Sequence, residues 1–338
     1  MARHRLDRAL ASLSAFYVAV VLVATLLLSR FSDRWWLATL MAFGPRWPLA
    51  APAVVLAVLG WVWGLRRWAA AVVAVGVIAF GPYMDLSLPF PRSQPEAPPT
   101  SKALTVATFN IQERPLQSDF VEQVVKDFDV DVLALVECRA GEHGRQARKL
   151  ELYDRQVATQ FGLCLFSRHP IVEVDGRDPK DAWDKNGSGA IMRAAIDVDG
   201  QVIHVVAVHL ATARDGLEAL RYKRFDGIGD MDANTELRRW ESTIAREHAD
   251  RADGPLLVMG DFNLPVESDI YRRIWSPFVN AFDECGTGYG NTKLTRWFGA
   301  RIDHILMSAP FRCESAEVLE PRGSDHAPLY ARLLLTPP

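Results

Sequence analysis

The sequence predicts an α/β sandwich domain that follows a helical membrane segment. Three observations support this: long uncharged apolar runs fill the first hundred residues, short β-branched runs recur afterwards, and helical patterns separate several of those runs. The first hundred residues hold nine Lys/Arg and four Asp/Glu, whereas the rest hold 29 and 37. With 49% hydrophobic residues overall, the chain is unlike a disordered, collagen-like or disulfide-scaffold protein.

The amino-terminal part, residues 1–88, is predicted to be a membrane anchor. Charged residues bracket three apolar runs, at residues 9–29, 47–65 and 68–84. A helix of about 20 apolar residues crosses a bilayer, and about 17 is the usable minimum. A cleaved signal peptide is the alternative for the first run, but that run is longer than a usual signal and two more follow it.

The basic residues predict how this anchor is oriented. Arg3, Arg5 and Arg8 precede the first run, and Arg66 and Arg67 separate the second from the third, so both places are assigned to the cytoplasm. The remainder of the chain is then expected outside the plasma (inner) membrane. If the third run lies in the interface instead of spanning, the orientation reverses.

A proline-rich stretch, residues 89–101, separates the anchor from the rest and predicts an extended linker. Residues 102–338 are long enough for one large α/β domain with a core of its own.

Eight runs in this domain have strand character. They are Leu104–Phe109, Val132–Val136, Gly162–Phe166, Ala190–Val198, Val202–Leu210, Leu256–Met259, Ile302–Met307 and Leu329–Leu335. Asp199-Gly200 predicts a tight hairpin between two of them, and helical patterns cover residues 119–127, 236–250 and 268–275. Hairpins combined with helical connections predict mixed sheets covered by helices.

Polar residues stand at the ends of these strands, where a rigid scaffold can hold functional side chains. They are Asn110, Glu137, His209, Asp261 with Asn263, Asp303, and Asp325 with His326. Taken singly, each has an ordinary structural explanation, such as a surface carboxylate, a satisfied histidine or a turn residue. Together, and in this order, they predict one site.

The first subset of these residues suits a metal ion. The carboxylates of Glu137 and Asp325 and the amide oxygen of Asn110 are hard ligands of the kind that Mg²⁺ or Mn²⁺ prefers. Such an ion keeps water ligands, binds phosphate and polarises a phosphoryl oxygen.

The second subset suits proton transfer. Asp261 is expected to take a proton from an attacking water, with Asn263 orienting the water or a phosphate oxygen. His326 is expected to donate toward the phosphorane while Asp303 orients its ring, and His209 supplies a second donor. The residues therefore predict metal-assisted hydrolysis of a phosphoester.

These motifs, above all Gly260-Asp261-Phe262-Asn263 followed late in the chain by Ser324-Asp325-His326, resemble the endonuclease/exonuclease/phosphatase superfamily. The resemblance spans about Leu104 to Leu335. It implies a four-layered fold with two mixed sheets between helices, divalent-metal phosphoesterase activity, and the residue roles given above.

The sequence around His209 bears on the substrate. Val208-His209-Leu210 is similar to the phosphatase, sphingomyelinase and deoxyribonuclease I-like members, whereas abasic-site endonucleases carry a tyrosine there. The acidic balance after residue 100 also argues against extended nucleic-acid binding. The leading hypothesis is a membrane-anchored phosphoesterase acting on a phosphorylated, lipid-linked substrate; an external nuclease and a catalytically inactive binding domain are the alternatives.

Several further residues carry expectations of their own. Arg301 is a candidate phosphate contact, with an ion-paired arginine as an equal alternative, and His304 is left out because it alternates to the other face of its strand from Asp303. Trp297 and Phe298 are expected to pack in the core rather than flank the cleft. The four cysteines show no metal-type spacing, and no disulfide is expected; Cys138 and Cys164 are expected to be small buried side chains.

Overall fold

A computed structural model describes residues 2–78, 81, 83–88, 98–116, 118–139, 150–152 and 154–337. The chain divides into two compact units, Met1–Leu88 with Glu267–Asp269, and Pro89–Val266 with Ile270–Pro338. Most of the predicted proline-rich linker, residues 89–97, lies outside the described residues.

The smaller unit is helical. Its helices are α1 (Ala2–Phe31), α2 (Trp36–Phe43), α3 (Trp47–Val62) and α4 (Arg66–Ile78). Within α1, Asp7–Phe31 forms a span of 25 residues that is long and apolar enough to cross a membrane. The pair α2 and α3, bent by 95°, passes the same test as one broken span. The third predicted run falls on the 13-residue α4 and on residues 79–84, of which 79, 80 and 82 lie outside the described residues.

The helices of this unit pack through one face and leave other apolar faces open. Leu10, Tyr17 and Val21 of α1 contact a cluster of buried side chains from α3 and α4. The Tyr17 hydroxyl donates a hydrogen bond to the carbonyl of Leu49 at 3.0 Å. Phe16 and Trp61, by contrast, are 67% and 68% exposed. Apolar side chains exposed in this way suit contact with lipid better than contact with water.

The larger unit contains two mixed sheets. The strands are β1 (Lys102–Pro115), β2 (Val132–Arg139), β3 (Leu150–Leu152), β4 (Arg155–Gln160), β5 (Leu163–Ser167), β6 (Ile171–Arg177), β7 (Ala190–Val198), β8 (Gln201–His209), β9 (Leu256–Asp261), β10 (Val279–Asn280), β11 (Lys293–Leu294), β12 (Gly299–Ala300), β13 (Asp303–Met307), β14 (Phe311–Val318) and β15 (Leu329–Leu335). Sheet A has the order β14-β15-β1-β2-β5-β4-β3, and sheet B has the order β10-β13-β9-β8-β7-β6. The pairs β1–β2 and β8–β9 are parallel, and the other pairs are antiparallel.

The larger unit also contains helices. They are α5 (Asp119–Phe128), α6 (Lys180–Trp183), α7 (Arg214–Lys223), α8 (Ile228–Ala249), α9 (Asp269–Ile274) and α10 (Ala281–Cys285). The outer faces are covered by α5 on sheet A and by α8 and α9 on sheet B, whereas α10 packs in the core between the sheets. The helix α5 begins at Ser118, whose hydroxyl accepts a hydrogen bond from the backbone of Val121 at 3.3 Å, and it buries its apolar face against sheet A. On sheet B the corresponding cover comes largely from α8, through Ala245 and Ala249. The inner faces of the two sheets share the largest core cluster, so the domain has the predicted layers of helix, sheet, sheet and helix.

All eight predicted strands are present, and the predicted helices coincide with α5, the second half of α8, and α9. The hairpin between β7 and β8 also forms, with Asp199 and Gly200 at φ 50° and 87°. Edge strands such as β6 and β14 are not among the runs predicted from the sequence. Their burial alternates weakly and includes several exposed residues, which is why no clear apolar run marks them.

The expectation of free cysteines is wrong. Cys138 is bonded to Cys164, and Cys285 to Cys313, each pair with its Cα atoms 5.9 Å apart. The first bridge joins the end of β2 to its antiparallel neighbour β5, and the second joins the end of α10 to β14. The sequence places these cysteines in apolar surroundings correctly. It does not show that the two elements of each pair are neighbours.

Replacing Cys138 and Cys164 together by Ala should lower the free energy of unfolding of the larger unit by roughly 3 kcal/mol, because a closed loop of 26 residues restricts the unfolded chain. Chemical denaturation of the full chain in detergent measures the change. With reductant present the variant and the wild type should converge. A difference that persists in reductant would show that lost packing, rather than the lost bridge, is the cause.

Candidate active site

Strand register in sheet B brings three predicted site residues side by side. His209 on β8 and Asp303 on β13 both align with Asp261 on β9, one on each side of it. Gly260 makes this close approach possible, because its φ is 141° and a Cβ atom there would collide with the carbonyl oxygen of Val208. The glycine of the Gly-Asp-Phe-Asn motif is thus required by backbone packing beside the site.

Sheet A contributes Asn110 and Glu137 from neighbouring parallel strands. The Asn110 side-chain nitrogen donates to Glu137 Oε1 at 3.0 Å and to Asp261 Oδ2 at 3.1 Å. Glu137 has a left-handed backbone, with φ at 56°, near the end of β2. Asn110 therefore connects the two sheets directly, and it joins the predicted metal carboxylate to the predicted base.

The most buried part of the site is a histidine between two aspartates. His326 Nδ1 lies 2.8 Å from Asp303 Oδ2, and Nε2 lies 3.7 Å from Asp261 Oδ2. Burial disfavours the imidazolium, but the charges of Asp303 and Asp261 and the hydrogen bond that the ring donates to Asp303 outweigh burial and raise the pKa of His326 to about 9. The ring is therefore a proton donor at neutral pH.

The same contacts move the pKa values of the two aspartates in opposite directions. Burial, followed by the charge of Asp303, raises the pKa of Asp261 above its ordinary value. Burial also opposes ionisation of Asp303, but the charge and hydrogen bond of His326 overcome it and hold the pKa of Asp303 below its ordinary value. A raised pKa suits a general base, and a lowered pKa suits a permanent counter-charge.

His209 and Asn263 complete the side of the cluster nearest β8. His209 Nε2 is 3.7 Å from Glu137 Oε1. The Asn263 backbone donates to Asp261 Oδ1 at 2.9 Å, and its side-chain nitrogen donates to the carbonyl of Leu210 at 2.8 Å. Asn263 thus fixes both the predicted base and the chain just after His209.

Asp325 lies at the opening of the same cluster. Its Oδ1 is 4.0 Å from His326 Nε2, and its Oδ2 is 2.5 Å from the ammonium group of Lys293. The preceding Ser324 hydroxyl donates to the carbonyl of Asn110 at 2.8 Å and accepts from the His326 backbone at 3.1 Å. Every predicted metal or catalytic residue is therefore brought to one cluster, joined by contacts from Asp325 through His326, Asp261 and Asn110 to Glu137.

The sequence model of the endonuclease/exonuclease/phosphatase family matches residues 107–326, which include all of this cluster. The chain belongs to this family. Members of the family include nucleases and other phosphoesterases, which hydrolyse phosphoester bonds. No curated protein matches the sequence closely enough to be counted as a relative.

Several solved structures are similar to the chain. An endonuclease/exonuclease/phosphatase from Beutenbergia cavernae is 19% identical over 69% of this chain and 72% of its own, with a TM-score of 0.50. At this identity the likeness concerns the fold alone. A family protein from Bacteroides thetaiotaomicron is 16% identical over 70% and 98%, with a TM-score of 0.46. The 3′ phosphatase NExo from Neisseria, bound to product DNA hairpin, is 18% identical over 68% and 98%, with a TM-score of 0.48.

The divalent ion that family membership implies has fitting donors at the mouth of the cluster. Asp325 Oδ1 is buried and has no hydrogen-bond partner among the residues that the structure describes. Glu137 and Asp325 retain 29% and 38% side-chain exposure, which leaves room for the water ligands that Mg²⁺ keeps. Asn110 differs from expectation, since its nitrogen faces the carboxylates and its oxygen accepts from the backbone of Gln112. Rotating the amide by half a turn would present the oxygen instead.

A second group, Asp261, Asp303 and His326, also has ligand atoms within 4.8 Å of one another. The first group suits a hydrated divalent ion better, for two reasons. The His326 ring already bonds Asp303, and the two aspartates are only 2% and 1% exposed, so a hydrated hard cation has no space there. The buried trio is better suited to proton transfer.

Arg301 takes the second of its two expected positions, as an ion-paired arginine, and Trp297 lies elsewhere than expected. The Arg301 guanidinium is 2% exposed, pairs with Asp283 at 2.7 Å and stacks on the ring of Phe282, so a phosphate contact would require that ion pair to open. Trp297 is 70% exposed at the tip of the β11–β12 hairpin, so the core position expected for it is wrong. A single tryptophan in a turn gives no periodic signal that would separate these two positions.

Some residues of the site were not recognised from the sequence. Lys293 pairs with Asp325, and Thr292 accepts a hydrogen bond from the Asp303 backbone at 3.0 Å. Neither of them stands in a motif or at a strand end of the predicted core. Ser324 belongs to the quoted Ser-Asp-His motif, and only its backbone contacts were unforeseen.

His304 is directed away from the cluster, as its alternation with Asp303 predicts. Its Nε2 lies 2.7 Å from the Leu264 carbonyl and its Nδ1 lies 3.1 Å from the Asn280 side-chain nitrogen. Burial, followed by the charge of Arg301, lowers the pKa of His304 to about 4. The neutral ring is fully hydrogen-bonded, so it is a structural residue of sheet B.

This histidine should make stability fall in acid. Because the folded protein disfavours the charged ring, the stabilisation from His304 is complete above about pH 6.5 and is lost as the pH falls toward about 4. Over that range the wild type should lose roughly 3 kcal/mol more than His304→Gln, as measured by denaturant unfolding at each pH. Equal losses in the two proteins would mean that His304 titrates normally in the folded state.

Proposed function

We propose that the chain is a membrane-anchored, divalent-metal-dependent phosphoesterase that acts on a phosphorylated lipid. The observation that carries the hydrolytic assignment is the joined arrangement of His326, Asp303 and Asp261, connected through Asn110 to Glu137. It combines a donor, a base and a cation-binding carboxylate in one cluster, which is what hydrolysis of a phosphoester needs.

Asp261 is the proposed general base. Its raised pKa makes the carboxylate a better proton acceptor than an exposed aspartate, and its hydrogen bonds with the Asn263 backbone and the Asn110 amide fix its two oxygens. An attacking water held beside Asp261 would lose its proton to this carboxylate as its oxygen bonds to phosphorus, while the ester bond from phosphorus to the leaving oxygen breaks and releases the alcohol.

His326 is the proposed proton donor to the phosphoryl group. The pKa of about 9 keeps its ring charged at neutral pH, and Asp303 holds the ring in one orientation through Nδ1. Nε2 is then directed toward Asp261 and the opening of the cluster, where negative charge develops in the transition state. His209, beside Glu137, is placed to supply a second hydrogen bond.

Glu137 and Asp325, with the Asn110 amide, would hold Mg²⁺ or Mn²⁺. The chemistry that this ion supplies when bound is polarisation of a phosphoryl oxygen and neutralisation of charge on the leaving oxygen. The exposed position of both carboxylates lets substrate phosphate reach the same place.

Two independent features support a location outside the cytoplasm. Basic residues precede the apolar span of α1, which favours a cytoplasmic amino terminus. The larger unit carries two disulfides, which persist in oxidising compartments and are rare in the cytosol. We therefore infer that the catalytic unit faces out of the cell from the plasma membrane.

A lipid substrate follows from the anchor and from the surface next to the site. A short linker would keep the catalytic unit close to the bilayer, where phosphorylated head groups are concentrated. Lys293, at the start of the β11–β12 hairpin, forms a β-bridge with His326. The same hairpin carries the exposed Trp297, and the guanidinium carbon of Arg296 lies 5.1 Å from the centre of its ring. Tryptophan and arginine together suit the boundary between lipid and water, where one group meets apolar chains and the other meets phosphate.

The test is turnover of a substrate panel by the purified full chain in detergent. We expect phosphate or alcohol release from phosphorylated lipids in mixed micelles, activity with Mg²⁺ or Mn²⁺, and loss of activity in EDTA. Asp261→Asn and His326→Gln should each reduce kcat by about 10²-fold or more, because each removes a proton-transfer group.

A matched pair of controls is available at the other end of β8. His204 and Asp253 form a histidine–aspartate contact of 3.1 Å, and neither belongs to the cluster. His204→Gln and Asp253→Asn should keep activity within about twofold. Faster hydrolysis of short DNA than of any lipid phosphate would replace the lipid proposal with the nuclease alternative, and full activity in EDTA would refute the metal requirement.

Sidedness has its own prediction. In intact cells, external protease should degrade the catalytic unit while a cytoplasmic marker protein survives, because the basic residues before α1 place its amino terminus inside. Immunoblotting of a carboxy-terminal tag measures the result. A tag protected until the membrane is permeabilised would reverse the proposed orientation.

A further inference from the structure

Lys293 places a fixed positive charge inside the proposed metal site. Its ammonium nitrogen lies 2.5 Å from Asp325 Oδ2, and its side chain is only 20% exposed. Neither the family match nor the sequence motifs give this lysine a role. A divalent ion that binds Asp325 must share that carboxylate with it.

The backbone holds Lys293 in this position. Lys293 forms a β-bridge with His326, and the Leu294 backbone donates to the Asp325 carbonyl at 2.7 Å. The Ala327 backbone donates to the Thr292 carbonyl at 2.6 Å, which closes the other side of the bridge. The ion pair is thus built from two hydrogen-bonded segments and is unlike a pair of long side chains that meet by chance on a surface.

The two oxygens of Asp325 have different surroundings. Oδ2 is engaged by Lys293, whereas Oδ1 is buried, faces His326 Nε2 at 4.0 Å and has no hydrogen-bond partner among the described residues. A cation on Oδ1 would lie within a few ångströms of the ammonium group, and like charges at that distance repel in a partly buried site. The lysine therefore opposes the ion at the carboxylate that both can bind.

We propose that Lys293 is a positioning residue that competes with the divalent ion for Asp325. It neutralises Asp325 when the ion is absent, and it lowers the affinity of the site for the ion. This inference rests on the proposed metal site, and it adds a residue that sets how tightly that site binds.

The test is Mn²⁺ binding to the full chain in detergent, measured by isothermal titration calorimetry. Lys293→Met should bind Mn²⁺ about tenfold or more tightly than the wild type, because the competing charge is removed. Lys126→Met is the matched control, since Lys126 makes a 2.5 Å pair with Glu122 on the exposed surface of α5; its Mn²⁺ affinity should not change. Lys293→Gln removes the charge while keeping a donor, and serves if the methionine variant does not fold.

A second comparison separates competition from a merely structural effect. In an Asp325→Asn background, which removes the shared carboxylate, adding Lys293→Met should change Mn²⁺ affinity by less than about threefold. Unchanged or weaker Mn²⁺ binding in both Lys293 variants would overturn the inference while leaving metal-dependent hydrolysis by the wild type intact. Absence of Mn²⁺ binding in the wild type and in every variant would overturn the proposed metal-dependent function and this inference together.

Discussion

The site depends on one buried interaction, the placement of His326 between Asp303 and Asp261. Two carboxylates on adjacent strands would repel each other in a dry interior, and burying either one alone is unfavourable. The imidazolium compensates for both, through a hydrogen bond of 2.8 Å to one and a contact of 3.7 Å to the other. Because Asp303 and Asp261 are register partners, a shift of one residue between β9 and β13 would turn one carboxylate to the opposite face and break the compensation.

The need to compensate buried charges explains why one half of the cluster is buried and the other half is partly exposed to solvent. The histidine–aspartate trio is buried, so its charges act at short range with little screening, and its pKa values separate: those of His326 and Asp261 are raised and that of Asp303 is lowered. Glu137 and Asp325 stay partly exposed, which a hydrated cation and an entering phosphate both require. Asn110 belongs to both halves, since its amide touches Glu137 and Asp261.

The sequence indicated the candidate site residues that stand at strand ends. It did not predict features that depend on which elements are neighbours in the fold. Five residues of the cluster stand at or near the ends of predicted apolar strands, which made their motifs recognisable: Asn110, Glu137, Asp261, Asp303 and His326. The structure brings all five into one cluster. The disulfides and the Lys293–Asp325 pair depend on contacts between segments that no periodicity connects. Edge strands such as β14 were missed because only strands buried on one or both faces carry a strong apolar pattern.

The charge balance of the cluster supports the proposed divalent ion. Four carboxylates, from Glu137, Asp261, Asp303 and Asp325, face two fixed positive charges, from His326 and Lys293. The remaining negative charge equals that of one divalent cation, and it would repel an anionic phosphate if nothing neutralised it. A second divalent ion would overshoot neutrality as long as Lys293 stays paired with Asp325. The lysine therefore favours a site that holds one ion, and with that ion bound the cluster would no longer repel the phosphate of the substrate.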